Sequence, residues 1–453
     1  MEGPTPLEIA RNVVALARRA GAEQCDAIVS MYTEANVTVR LGELEKLIEA
    51  GGMSLGLRVI NGGRTAVCST SDLSPLALER FAVETVDLAS ISEPDEFAGL
   101  PEPELLSRVT NADGMGLYDE RIETLSTEEK IRMAKDCEGA AFAFDKRINN
   151  SDGASLSTRI GQLALANSYG FEGAYPATSI SLMIEAIADD EEGKKRNGYW
   201  YTAERALHRM VDAEQVGKIA ARRTVDQLGA RKVATKRVPV VFEPMMTIAL
   251  MGDLVGCATG GALYRGATFL ANRNGEVIGS PLVSIVDDPT AQGRLGTRPF
   301  DGEGVAARKN QIFSAGHFSH FLFDCYTARR TSNHTTGSAQ RGVESLPAPG
   351  ASTLQFEPGR DDPESIVAGV SEGLYLTALM GNGFNPTTGD YSRGAAGFWI
   401  ENGRLAYPVT EVNISGQMEA MLAGVDMVGN DLSWFGSSAA PTIRIKEMMV
   451  AGT

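Results

Sequence analysis

Two glycine turns set the terms on which this chain can fold. Asn61-Gly62-Gly63 and Asn402-Gly403 each sit between short apolar stretches. A tight turn with positive φ at its centre sends a twisted strand back antiparallel to itself. The 49 glycines extend the pattern, gathering in the second half between further apolar stretches, as turns and bulges joining strands require. At 453 residues, with 43% hydrophobic and 22% charged side chains, the chain is ordinary globular material, too long for one domain.

Helical signals alternate with the strand signals in the first half. Thr5, Pro6 and the stripe Leu7, Ala10, Val13, Val14 and Ala17 predict a helix over 5–20. Strands are expected at 27–32, 36–40, 53–60 and 64–69, then a helix at about 74–89 capped by Asp72 or Ser74. An extended Pro-containing connection at 90–122 leads to a helix over 127–145. Three strands are expected between 149 and 187, a charged hairpin tip at 189–196, a strand at 199–202 and a helix at 212–228. No internal repeat is visible. The second half predicts a strand at 237–242, a helix from Pro244 to about Ala258, strands at 283–286, 316–326, 396–401, 404–408 and 441–445, a helix at 363–379 and a long loop at 344–363. The expected class is α+β, with an N-terminal helix-plus-meander domain at 1–230 (sub-units about 1–90 and 123–230) and a β-rich C-terminal domain at 236–453.

The formal charge of −16 disfavours nucleic acid and anionic lipid as partners. Five scattered cysteines without a CxxC pair read as reduced, mostly buried thiols. With no basic-then-apolar leader and no apolar run of spanning length, the expected compartment is the cytoplasm and no membrane partner is expected.

Chemistry-bearing motifs are scarce. There is no GxSxG elbow, no phosphate loop and no HExxH among four histidines, His208, His317, His320 and His334. His317, His320 and Cys325 merit attention as a metal set. On a strand, positions three apart face opposite sides, so they read as separately packed groups. His334 reads as a surface loop residue, and Glu243 before Pro244 as a helix cap more than a base. The stretch 381–390 lacks the strand-then-helix setting of a phosphate site. Its glycines suit either a wide turn or the close approach of a partner backbone.

From about residue 240 onward the chain resembles the TldD/TldE (PmbA) family. The resemblance is carried by GGALYRGATFL (260–270), PFDGEGVAARK (299–309), GHFSHFLFDCYTARR (316–330), HTTGSAQR (334–341), GNGFNPTTGDYSRGAAGFWIENGRLAYPV (381–409) and APTIRI (440–445). LEKLIEAGGMSLGLRVINGGRTAVCST (44–70) resembles the family's first domain. The resemblance implies a two-branch system. The TldD branch is a zinc metallopeptidase with an HExxxH helix and a cysteine near the C-terminus as third ligand. The TldE branch is its heterodimer partner in the trimming of unfolded peptides and leader peptides. The older description of the family, as a modulator of DNA gyrase, finds no support here as direct DNA binding.

Aligned on that family, Leu250 and Val255 stand where the two histidines would be and Met251 where the glutamate would be. The segment 434–439 before APTIRI contains no cysteine. The resemblance therefore implies a TldE-like subunit with no catalytic residue, no metal ligand and no cofactor of its own, zinc being expected in a TldD-type partner. Asn385, Asp390, Tyr391 and Arg393 in the Gly-rich block are candidates for lining the shared cavity or touching the partner, with a packed turn and surface ion pair as the alternative. Arg329 and Arg330 are candidates for contact with acidic groups, with an exposed charged pair after a strand as the commoner reading. The competing readings are a self-sufficient homodimeric peptidase using the His317/His320/His334 region, and a regulatory or binding protein without enzymatic activity.

Overall fold

Helix α1 (Pro6–Arg19) starts where the sequence caps it. In the computed structural model, which describes residues 3–452, the Thr5 hydroxyl accepts from Glu8 N while the Glu8 carboxylate accepts from Thr5 N at 2.8 Å. This reciprocal cap satisfies two donors that the helix itself cannot. Strands β1 (Gln24–Arg40), β2 (Glu43–Asn61) and β3 (Arg64–Thr70) follow as a meander, then α2 (Pro75–Ile91). Beyond a mostly irregular connection that ends in the short helix α3 (Glu120–Glu123), the same order returns as α4 (Thr127–Phe144), β4 (Ile148–Asn167), β5 (Glu172–Asp189), β6 (Lys195–Glu204) and α5 (Ala213–Val225). A Ser126/Glu129 box caps α4 in the manner of α1.

The six strands form one antiparallel sheet, β3-β2-β1-β4-β5-β6, with β1 and β4 paired across its middle from Asp26↔Asn167 to Val39↔Ala154. Each half is thus an α-β-β-β-α unit, an internal repeat the sequence does not reveal. Alternation along β1 puts Ala27, Val29, Val37 and Val39 on one face. The first two join the core under α1 and α2, and the last two join the core under α4 and α5. Between these blocks Met31 and Thr33, on the same face, are exposed in the gap between the helix pairs. That gap is why the apolar pattern suggests two strands where one runs unbroken. The three strands expected from 149 to 187 are likewise two, joined by a turn at Tyr169-Gly170. The charged segment 189–196 is the β5–β6 turn as expected.

In the second half, β7 (Lys236–Phe242) leads into α6 (Pro244–Cys257), with Pro244 in the first turn. Then come α7 (Gly260–Tyr264), β8 (Ile285–Asp287), β9 (Asn310–Ser314), β10 (His317–Phe318), α8 (Cys325–Arg330), β11 (Ala339–Gln340), β12 (Ala348–Pro349) and β13 (Leu354–Phe356). The chain ends with α9 (Pro363–Ala368), β14 (Glu372–Met380), β15 (Asp390–Glu401), β16 (Arg404–Gln417), α10 (Met418–Ala423), β17 (Val425–Val428), β18 (Ser433–Phe435), β19 (Ser438–Ala440) and β20 (Ile443–Ala451). One sheet runs β10-β9-β8-β13-β19-β18. The other runs β16-β15-β14-β7-β20-β17, and an added β16–β20 pairing closes five of its strands into a ring. Closure removes most of the free edges that invite aggregation. Helix α6 touches β7 and β14 of the ring and β18 and β19 of the other sheet, which sets it between the two.

Three expectations fail here. The helix expected over 363–379 stops at Ala368, and 372–380 is β14, parallel to β7 and antiparallel to β15. Ile366, Val370 and Leu374 are all buried at a spacing of four, which imitates a helix face. The strand expected over 316–326 is only the pair His317–Phe318. Its aromatic residues Phe318, Phe321 and Phe323 instead pack in the core, the first two rings edge to face and the third tilted against the second, before Asp324 caps α8. The expected loop 344–363 contains the short strands β12 and β13.

Candidate functional site

The helix that the family resemblance singles out is α6, and its surroundings can be read residue by residue. Leu250, Met251 and Val255, aligned above with the two histidines and the glutamate, are 3%, 2% and 4% exposed and belong to the main core. Beside the helix lies a cleft of about 360 Å³. Gly252, Val255, Gly256 and Thr259 form its α6 wall, and residues 349–352, Leu354 and the β18–β19 turn at 437–438 complete it. That turn is the segment where the third ligand would stand.

No lining side chain of the cleft titrates; its only polar side chains are the neutral hydroxyls of Thr259, Ser352, Ser437 and Ser438. A catalytic zinc takes three protein ligands from imidazole, thiolate or carboxylate, with a general base beside the bound water. The residues present do not fit that group. Among the described residues, no three of His, Cys, Asp and Glu gather in a metal-holding arrangement. A Cβ added at Gly252 or Gly256 would meet nothing within 4 Å, so packing within this chain does not require glycine at either position.

The histidines are dispersed. His317 Nδ1 lies 3.2 Å from Gly275 O at an exposed position, and His208 Nδ1 lies 2.8 Å from Arg121 Nη2. Burial lowers the pKa of His320, helped by the nearby Arg308 charge. His334 is exposed. Cys325 opens α8 and is not on a strand, so strand alternation is not what keeps it apart from His317.

Of the Gly-rich candidates, Asn385 and Asp390 hold their own turn. Asn385 N donates to Asp390 O at 2.8 Å, and Asn385 Oδ1 accepts from Thr387 N. The Asp390 side chain accepts from Thr388 Oγ1 at 2.6 Å. Tyr391 is 1% exposed, its hydroxyl has no partner, and burial pushes its pKa up to about 12. Arg393 crosses to α6, where Nη1 donates to Asp253 Oδ2 at 3.3 Å. The backbone that comes close to this block is the chain's own: a Cβ at Gly383 would lie 1.5 Å from Ser392 O.

Glu243 is neither a side-chain cap nor a free base. Its carboxylate pairs with Arg223 of α5, at 2.7 and 2.9 Å, tying the two halves together. Arg329 donates to Glu102 at 3.0 Å and to Gly99 O at 3.0 Å, and Arg330 lies over Phe97 and Tyr264. Both arginines anchor the connection that follows α2.

Sequence reasoning missed the buried charge network between the halves. Arg58 donates Nε to Asp26 Oδ2 at 3.1 Å and Nη1 to Glu303 Oε1 at 3.3 Å, while Arg341 donates Nη1 to Asp26 Oδ1 at 2.6 Å. Glu303 also accepts from Cys325 N at 2.8 Å. Burial opposes ionisation of Asp26, yet the Arg341 and Arg58 charges hold its pKa below the usual carboxylate range. Burial and then the Glu303 charge push Asp301 up to about 7 and Asp324 up to about 6. Asp324 Oδ2, and Nε and Nη2 of both Arg298 and Arg341, have no hydrogen-bond partner. Each such buried group ordinarily costs about 1–3 kcal/mol. Partners 32, 245 and 315 residues apart leave no local signal.

Comparison with known proteins places this arrangement in context. The PmbA/TldA metallopeptidase domain 1, central domain and C-terminal domain families match residues 25–89, 120–228 and 235–452. The chain is 35% identical to metalloprotease PmbA of Escherichia coli O157:H7, over 94% of this chain and 92% of that protein. It is 30% identical to the PmbA homolog of Haemophilus influenzae, over 97% and 94%. A crystal structure from Bacteroides thetaiotaomicron, provisionally named a modulator of DNA gyrase, superposes with a TM-score of 0.91 at 27% identity, covering 98% of both chains. TldE from Thermococcus kodakarensis shares the fold, with a TM-score of 0.87 at 20% identity over 98% of this chain and 99% of that one.

Proposed function

The chain belongs to the PmbA/TldD metallopeptidase family, on the TldE/PmbA side of it, and we propose that it acts there as a non-catalytic subunit. In this reading it completes the chamber of a TldD-type zinc peptidase that cuts unfolded peptides or leader peptides, with the zinc in the partner. The observation that carries the reading is the cleft beside α6, whose walls are glycine, aliphatic and hydroxyl groups where imidazole, thiolate and carboxylate would have to converge. Without them, water has neither a Lewis acid nor a base to activate it.

A second support is a surface that suits a protein partner. At the far end of the β1–β2 ribbon, Leu41, Leu44, Leu47 and Ile48 are 60%, 42%, 44% and 42% exposed. Leu44 and Leu47, paired with Val39 and Val37, share one face of the ribbon, and Ile48 lies on the other. Exposed apolar side chains on an otherwise acidic surface suit burial against another chain. The homodimeric alternative has less behind it, because His317, His320 and His334 do not converge on a common point with a base.

The test is expression of the full chain alone and together with a TldD-type relative, each assayed on an unfolded polypeptide with and without chelator. The expected result is co-purification of the pair and chelator-sensitive cleavage by the pair only. Robust chelator-sensitive cleavage by the lone chain would overturn the proposal.

A further inference from the structure

Helices α2 and α5 stand at equivalent places, each closing one of the two α-β-β-β-α units. Their outward faces differ. On α5 the exposed positions Glu214, Gln215, Lys218 and Arg222 are all polar. On α2 the side opposite the buried Leu78, Ala82, Thr85, Val86 and Ala89 carries Leu76, Val83 and Ile91, which are 81%, 48% and 79% exposed. Among the described residues nothing covers them, and apolar side chains aligned on an outward face suit burial against another protein.

The order of side chains along that face identifies the partner. Leu76, Arg80, Val83, Asp87 and Ile91 follow at spacings of four, three, four and four, which makes them one stripe along the 17-residue helix. The stripe reads apolar, cation, apolar, anion, apolar, so from its other end it reads the same with the charges exchanged. A second α2 laid antiparallel, about a two-fold axis between Val83 and Glu84, sets Leu76 against Ile91 of the other copy and Arg80 against its Asp87. The axis makes each contact twice and brings the two Val83 side chains together. Within one chain Arg80 reaches Glu84 at 3.2 Å, but these side chains are 79% and 64% exposed, so the pair holds Arg80 only weakly.

We propose that two copies of this chain associate through the outward face of α2, with Arg80 and Asp87 setting the antiparallel register. A pair of 17-residue helices lies at the low end of specific interface sizes, so the association is reversible and on the order of micromolar. It goes beyond the subunit pairing proposed above, whose apolar surface lies on the β1–β2 ribbon, and it does not depend on that pairing.

The test is sedimentation velocity of the full chain from about 1 to about 100 µM, with monomer expected at the low end and dimer at the high end. Arg80→Glu is expected to weaken the dimer about tenfold or more, because it sets two like-charge pairs across the axis. Asp87→Arg is expected to do the same. The double variant Arg80→Glu/Asp87→Arg restores opposite charges at both places and is expected to associate like the parent. Both positions are exposed, so far-UV circular dichroism is expected to match the parent in all three variants. A chain that stays monomeric throughout, single reversals that associate like the parent, or a double variant no better than the singles would each overturn the proposal. So would reversals that abolish pairing with a TldD-type subunit while self-association persists, since the stripe would then belong to that subunit. Self-association through α2 in a chain that pairs with no TldD-type subunit would instead overturn the proposed function and leave this interface standing.

Discussion

Replacing Asp26 by Asn isolates the charge on which the contact between the two halves depends. The side chain is 1% exposed and accepts from Arg58 and Arg341 together, while Glu303 holds the far side of Arg58. Asn keeps the shape but removes the negative charge, leaving two buried guanidiniums facing one remaining carboxylate. Removing one member of a buried ion pair costs about 3–5 kcal/mol, because the partner charge stays desolvated and uncompensated. The exposed pair Arg11–Glu172, with side chains 55% and 39% exposed, is the control. Arg11→Ala should have a far smaller effect than Asp26→Asn and lose it in high salt. Differential scanning fluorimetry in 0.05 and 0.5 M salt checks both. Asp26→Asn should lower the melting temperature by several degrees at either salt concentration. A loss no larger than that of Arg11→Ala would show that the network is not a keystone of the interface.

Stability should also respond to pH in two opposite ways. Asp301 and Asp324 have folded pKa values raised to about 7 and about 6, so the native state binds their protons more tightly than the unfolded chain does. Melting temperature is therefore expected to rise as pH falls from 8 towards 5, and Asp301→Asn should reduce that rise; a flat profile would refute it. Asp26 has a depressed folded pKa, so its stabilisation is present above its unfolded value and lost at more acid pH as it protonates. Gly383→Ala should destabilise severely, by about 3 kcal/mol or more in denaturant titration, because the new Cβ lands on Ser392 O in the backbone. Gly252→Ala and Gly256→Ala should each stabilise α6 by about 0.5–1 kcal/mol, since the helix gains propensity and the Cβ meets open space; a lower melting temperature would contradict this.

Much of the architecture can be read locally. Thr5 and Pro6 open α1, both glycine turns make the hairpins they signal, and Pro244 opens α6. What misleads is apolar spacing shaped by distant neighbours. Strand β1 crosses beneath two separate helix pairs, so its apolar residues fall into two blocks. Ile366, Val370 and Leu374 share a helical spacing while lying on a helix, a connection and a strand. The repeat of the N-terminal half leaves only a faint trace, the boxes Thr5/Glu8 and Ser126/Glu129 at equivalent starts. At the candidate site, the apolar character of α6 is legible because it is contiguous in sequence. The face bordering the cleft is not, because it depends on where β18 and β19 lie, so Gly252 and Gly256 pass unnoticed beside Leu250 and Met251. The Asp26 network needs side chains from both halves, and no spacing along the chain records it.

Zinc equilibrium dialysis of the purified full chain puts the missing ligand set to the most direct trial. A pocket of glycine, valine and hydroxyl side chains should retain well under one zinc per chain after washing with a weak chelator. One tightly held zinc per chain, lost when Thr259 or Ser437 is replaced, would contradict the proposal that this chain is a non-catalytic subunit.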